Sequence, residues 1–318
     1  MATYSIDRRA MLAGCLGILP SLSLGRSSAA EVVRASAGTD GPVAKAPHGA
    51  TDCHFHTYDR RYPAAGGASL LPADALPDDY RGLQRRLGTS RGVIVQPSTY
   101  GTDNSLQLAS MEALGRDRFR MVAVVAEDVP NAELKRLDGL GVRGVRFNLS
   151  LPGPLTVSSL KVLAPRLAAL GWHCQINMTP KQMEDEQALL SELPGQLVFD
   201  HFGQIPQPAG TGSQSYAIIR RLLDRGNTWV KLSGAYLRSI DGAPGYADSG
   251  RIAAAFVAAA PQRIVWGSDW PHPTKSNDAK PDDAVLFDRL ADWAGSPEMF
   301  SRILVDNPAV LYGFPPLS

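Results

Sequence analysis

Residues 51–59 read TDCHFHTYD and place His54 and His56 two positions apart behind Asp52. Alternate side chains of a β-strand share a face, so the two imidazoles point the same way. Such a pair can ligate a metal, carry protons or donate hydrogen bonds to a carbonyl. Packing is a weak account of it, because histidine is only intermediate in its preference for burial. Partners for the pair recur at the ends of later β-rich runs. Arg146 and Asn148, with Arg143 nearby, belong to 142–149, and Gln175 and Asn177 to 172–178. Asp200 and His201 end 197–201, and Lys231 and Ser233 lie in 229–233 with Arg238 just beyond. Asp269 follows 263–268 within WGSDWPHP, and Ser98 and Tyr100 follow 92–97. Burying so many charged groups unpaired is costly, so their convergence points to a chemical site.

The elements that must position these residues alternate. Strand-like runs at 51–57, 92–97, 120–126, 142–149, 172–178, 197–201, 229–233 and 263–268 are separated by helix-like stretches. Helical spacing covers 104–114, 132–139, 158–170, 181–193, 216–225, 251–259, 284–294 and 297–305. This pattern predicts an α/β fold, a (β/α)8 TIM barrel, whose functional residues sit at the C-terminal ends of the strands. A doubly wound sheet is the alternative, but no glycine-rich dinucleotide fingerprint follows the first strand.

The chain has 318 residues and a formal net charge of +1, which gives no reason to expect nucleic acid or an anionic membrane as partner. No stretch of the mature chain is long and apolar enough to span a bilayer. Residues 1–30 read as a signal peptide, with Arg8-Arg9 similar to a twin-arginine export signal and Ser28-Ala29-Ala30 as the cleavage site. The export machinery is therefore an expected partner, and a bacterial periplasmic or exported location is expected. Residues 31–48, including His48, read as a linker, and 49–318 as the barrel domain. Cys15 falls in the signal, while Cys53 and Cys174 are expected to face the helix layer as unbridged thiols. His173 is expected to face outward in a structural role, and His272 to orient the loop beyond Asp269.

TDCHFH, GVRGVRFN, FDHFG, VKLSGAY and WGSDWPHP together resemble the amidohydrolase superfamily, over about residues 48–314. The resemblance is to its branch containing 2-pyrone-4,6-dicarboxylate hydrolase and related lactone-processing enzymes. It implies a (β/α)8 barrel acting on esters, lactones, amides or carboxylates. Zinc-binding members of the superfamily use the strand-one histidines, the strand-eight aspartate and a ligand from strand four or five. Here those strands offer Arg146, Asn148, Gln175 and Asn177, none a usual zinc ligand. The expectation is therefore metal-independent chemistry. His54, His56 and Asp269 are the ligands if a divalent metal such as zinc binds instead.

The reaction that follows is hydrolysis of an anionic lactone, a pyrone dicarboxylate or a sugar-acid lactone. Asp269 serves as general base, and His54, His56 and His201 donate to the carbonyl oxygen. Arg146 and Arg238 hold a substrate carboxylate, Arg143 and Lys231 are secondary candidates, and Ser98 and Tyr100 add hydroxyl contacts. The alternatives are a lactone isomerase, a metal-dependent decarboxylase or hydrolase, and an exported carboxylate-binding protein without turnover.

Overall fold

The structure is a computed structural model that describes residues 1–3 and 32–316. From residue 4 onward the expected signal, with Arg8, Arg9, Cys15 and the cleavage site, lies outside the described residues. The β-rich runs form β1 (Thr51–Phe55), β2 (Arg91–Val95), β3 (Phe119–Ala123), β4 (Val142–Asn148), β5 (His173–Asn177), β6 (Gln196–Phe199), β7 (Thr228–Ser233) and β8 (Ile264–Gly267). They pair in chain order, all parallel, as one eight-stranded sheet. Just past the strand ends the sheet closes on itself: Asp269 N donates to His54 O at 2.8 Å and His56 N to Trp270 O at 2.8 Å. The seam of the barrel thus runs through the residues singled out for chemistry.

The helices are α1 (Pro77–Leu87), α2 (Ser105–Leu114), α3 (Asn131–Gly139), α4 (Val157–Ala168), α5 (Pro180–Asp185), α6 (Gln187–Glu192), α7 (Gln214–Asp224), α8 (Ala247–Ala259), α9 (Asp283–Ala294), α10 (Pro297–Ser301) and α11 (Asn307–Tyr312). The single helix expected over 181–193 is two, broken at Glu186 (φ −102, ψ 13). α1 was not among the expected helices, although Pro77 opens it, Asp78 and Asp79 occupy its first turn, and Gly88 (φ 80) caps it.

Two apolar clusters follow from strand alternation. One lies between sheet and helices and includes Phe55, Ile94, Val145, Cys174, Phe199 and Trp266. The other, inside the barrel, gathers Val93, Val95, Val122, Val198 and Val265 around Cys53, with Tyr312 and Phe314 closing it. Cys174 thus faces the helix layer as expected, and Cys53 does not. β1 loses register between Asp52 and Phe55, and this irregularity turns Cys53 inward along with His54. Asp52 turns the other way, accepting from Tyr80 Oη at 3.1 Å and Ser268 Oγ at 2.6 Å. His173 also departs from expectation. It shares alternation with Gln175 and Asn177, and its ring fills the space above Gly144, where an added Cβ would lie 2.6 Å from it.

The described part of the expected linker is held against the barrel. Trp270 Nε1 donates to Arg34 O at 2.7 Å, Arg86 Nη1 to Ala37 O at 2.9 Å, and Ala44 N to Asp288 Oδ1 at 2.8 Å. Among the described residues no helix is long and apolar enough to cross a membrane.

Candidate active site

At the C-terminal mouth the geometry gathers His54, His56, His201 and Asp269. His54 Nε2 lies 3.3 Å from His56 Nε2, and Asp269 Oδ1 lies 3.6 Å from each. The His201 ring centroid is 4.8 Å from that of His54. His54, His201 and Asp269 offer ligand atoms all within 4.8 Å of one another. His201 (φ 52) and Asp269 (φ 64) hold left-handed backbone, a conformation costing about 1–3 kcal/mol for a residue with a Cβ. The fold thus spends stability to aim these two side chains inward.

The far nitrogens of the imidazoles show how each ring is set. His56 Nδ1 meets Val95 O at 2.7 Å, and a carbonyl only accepts, so that nitrogen carries the hydrogen. His54 Nδ1 lies 3.3 Å from Asp200 Oδ1, and the nearby carboxylate favours N–H on that side. His201 Nδ1 meets the Ser233 carbonyl at 3.3 Å and its hydroxyl at 3.0 Å. Burial pushes His54 well below the ordinary imidazole value and His56 below it, with Lys231 adding to the first shift and Arg146 to the second. The neutral rings of His54 and His56 therefore present Nε2 lone pairs to one another. With both hydrogens on Nδ1, a proton or a metal cation between the two Nε2 atoms makes that contact favourable. The expected role as donors to a carbonyl needs this extra proton.

Asp200, noted in the sequence only as a strand end, is the hub beneath the histidines. Its Oδ2 accepts from Gln175 Nε2 at 3.0 Å and Arg146 Nε at 3.3 Å, and Lys231 Nζ stands 3.5 Å from Oδ1. Burial alone would raise this carboxyl, but His54, Lys231 and Arg146 outweigh it and hold it well below the usual range. Burial likewise opposes the charge on Asp269; His201, His56 and His54 hold its carboxyl below the usual range, and they do so by charge only when a proton is shared among them. Tyr236 Oη donates to Asp269 Oδ2 at 2.6 Å, a contact that sequence reading missed although VKLSGAY contains the tyrosine.

The expected substrate contacts divide. Arg238 is exposed at the mouth and donates to Gln204 Oε1 at 2.7 Å. Ser98 lies across from it and accepts from Asn148 Nδ2 at 2.7 Å. Between them, Gln204 Nε2 donates to Asn177 Oδ1 at 3.0 Å and Asn177 Nδ2 to Asn148 Oδ1 at 2.9 Å. Arg146 is buried and already paired with Asp200. Lys231 is fully buried, donating to Gln175 Oε1 at 2.8 Å, so it serves the hub and not a substrate. Tyr100 Oη accepts from Asp59 N at 2.9 Å and donates to Asp59 O, fixing the loop after β1. Arg143 has outward parity at the start of β4 and pairs with Asp138 at 3.2 Å, at the far end of the barrel from the mouth.

The amidohydrolase pattern (Amidohydro_2) matches residues 51–314. The chain is 33% identical over 291 residues to the D-galactarolactone isomerase of Agrobacterium fabrum, covering 90% of this chain and 98% of that protein. It is also 33% identical over 283 residues to the 2-pyrone-4,6-dicarboxylate hydrolase of Comamonas testosteroni, covering 85% and 92%. An apo crystal structure from Agrobacterium tumefaciens superposes with a TM-score of 0.82 at 32% identity, over 89% of this chain and 100% of the other. With the matched barrel, the HxH pair of β1 and the aspartate after β8, the chain belongs to the amidohydrolase family.

Proposed function

We propose that this chain hydrolyses a small anionic lactone, with Asp269 receiving the proton of the attacking water. The observation that carries the reading is the convergence of Asp269 Oδ1 on His54 Nε2 and His56 Nε2 at 3.6 Å each. An ionised carboxylate beside two imidazoles can pass a proton from water towards the leaving oxygen. A proton held between the imidazoles would donate to the carbonyl oxygen as negative charge develops there. Arg238, the exposed guanidinium at the mouth, is suited to the substrate carboxylate. Relatives that act on lactones support the same class. Asp269→Asn should abolish lactone turnover in a folded protein; unchanged turnover sinks the proposal.

The same acceptor set fits a divalent cation. His54 and His56 turn Nε2 lone pairs to the site while their Nδ1 atoms face Asp200 and Val95 O, the second contact holding the ring as metal-bound imidazoles are held. His54, His56, His201 and Asp269 would hold such an ion, zinc for example, which supplies Lewis-acid polarisation of a carbonyl. Turnover after exhaustive chelation, with elemental analysis of the same sample, separates the two forms. Full activity without metal supports the metal-independent expectation. Loss that added zinc restores assigns the ion.

The line of neutral amides from Gln204 to Asn148 favours one second reading. Amides suit a hydroxylated ring better than a flat dicarboxylate, and a ring hydroxyl can take the place of water as nucleophile. That reaction is lactone isomerisation. Turnover in heavy-oxygen water distinguishes them, since only hydrolysis places solvent oxygen in the acid.

We further propose that the protein is exported through the Arg8-Arg9 signal. Arg8→Lys together with Arg9→Lys should retain the unprocessed chain in the cytoplasm, read by fractionation. Periplasmic recovery of the doubly substituted chain in wild-type amounts overturns this.

A further inference from the structure

Behind Asp269, away from the imidazoles, runs a second buried line of polar groups. Tyr236 Oη donates to Asp269 Oδ2 at 2.6 Å, His272 Nδ1 lies 3.1 Å from Tyr236 Oη, and His272 Nε2 lies 3.1 Å from Asp283 Oδ2. His272 and Asp283 are 0% exposed, Asp269 3% and Tyr236 8%. The four residues come from the loop after β7, the turn after β8 and the first residue of α9. Lys275 Nζ stands 5.4 Å from the centre of the Tyr236 ring and covers it.

Counting hydrogens gives the line a direction. An ionised Asp269 has none to give, so the single phenol hydrogen of Tyr236 must lie on its contact with Asp269. The phenol oxygen can then only accept from His272, which places a hydrogen on His272 Nδ1. Asp283 Oδ2 meets the opposite nitrogen at 3.1 Å, a contact that needs a second hydrogen of its own, and sets the plane of the ring. The path also returns to its origin. His272 N donates to Asp269 O at 2.7 Å, so one short turn carries both the first and the third member of the line, and both are left-handed, at φ 64 and φ 56.

We propose that Tyr236, held by the His272–Asp283 pair, is the positioning residue for Asp269. It occupies Oδ2 and leaves Oδ1 alone to face the imidazoles. A carboxylate without this restraint can rotate and share either oxygen with His54 and His56. The inference rests on the reading of Asp269 as the base and adds to it the residues that aim the base.

The test uses the full-length protein and whichever carboxylated lactone of a panel the wild type turns over. Tyr236→Phe keeps the ring and removes the hydroxyl, and should lower kcat roughly 10- to 100-fold with KM little changed. A rise in KM at constant kcat overturns the positioning role. His272→Asn puts an amide N–H near the place of Nδ1, whereas His272→Gln puts it near Nε2. The asparagine variant should retain most of the wild-type kcat and the glutamine variant should fall with Tyr236→Phe; equal loss in both shows packing alone and overturns the role of His272. A readout independent of turnover is the downfield proton resonance of the short Tyr236–Asp269 bond. It should be present in wild type and His272→Asn, and absent in Tyr236→Phe; a resonance that survives Tyr236→Phe overturns the assignment. Asp269→Asn, measured alongside, separates the two levels. If it retains full turnover, the reading of Asp269 as base fails. If it is inactive while Tyr236→Phe is fully active, only the positioning proposal fails.

Discussion

Asp200 shows how one buried carboxylate can organise charges of both signs. It stands against Arg146, Lys231 and His54, so replacing it by asparagine removes a negative charge that faces a guanidinium and a buried amine. Removing one partner of a buried ion pair costs about 3–5 kcal/mol, and loss of a group that orients a site histidine costs roughly 10- to 100-fold in activity. Asp200→Asn should show both effects, one by chemical denaturation and the other by kcat. Conserved stability with conserved kcat contradicts the hub. The sequence displayed Asp200 beside His201 at a strand end, but nothing in a linear pattern counts how many cations will meet one carboxylate. Tyr236 escaped notice for a related reason: its value lies in a contact made across 33 residues of chain.

The barrel itself was legible at the level of elements. Alternation of strand-like and helical runs located every strand and the mouth to which His54, His56, His201 and Asp269 come. The same rule, followed through β5, also places His173 inside with Gln175 and Asn177. Alternation failed at Cys53, because an irregularity in a strand leaves no mark in residue types. Glycine marks the tightest approach. A Cβ on Gly267 would meet the His54 backbone N at 2.6 Å and Cα at 2.9 Å, atoms that cannot swing aside. Gly267→Ala should therefore push β1 from β8, destabilise by about 1–3 kcal/mol and depress kcat. Wild-type melting and turnover in that variant would refute the close approach. By contrast Arg143 was misplaced because a strand has two ends as well as two faces, and only the C-terminal end opens on the mouth.

For the whole molecule, pH acts through carboxyls shifted in opposite directions. Burial pushes Asp52 up from 3.8 to about 6, against hydrogen bonds from Ser268, His54 and Tyr80. A raised folded-state value means stability that is complete below 3.8 and lost as pH rises through about 6, here about 3 kcal/mol. Asp200 and Asp269 are held low, so their contribution is present above the ordinary carboxyl value and is lost only in stronger acid. Denaturant melts should show wild-type stability falling between about pH 4 and 7 relative to Asp52→Asn; parallel curves over that window would exclude the Asp52 effect. The described chain before β1 was read as a linker because it is small and polar. Its grip on Trp270, Arg86 and Asp288 is made mostly through backbone atoms, which composition does not register.

The row that links Arg238 to Ser98 has a further consequence. Each member donates to the next in one sense, guanidinium to Gln204, Gln204 to Asn177, Asn177 to Asn148, and Asn148 to the serine oxygen. A carboxylate that draws Arg238 away takes the first donor from the row, and the loss is handed along to a hydroxyl on the opposite rim. On the proposed reading of Arg238 as the carboxylate's partner, the two rims would then compete for one ligand, and the pocket would weigh a molecule's length as well as its charge.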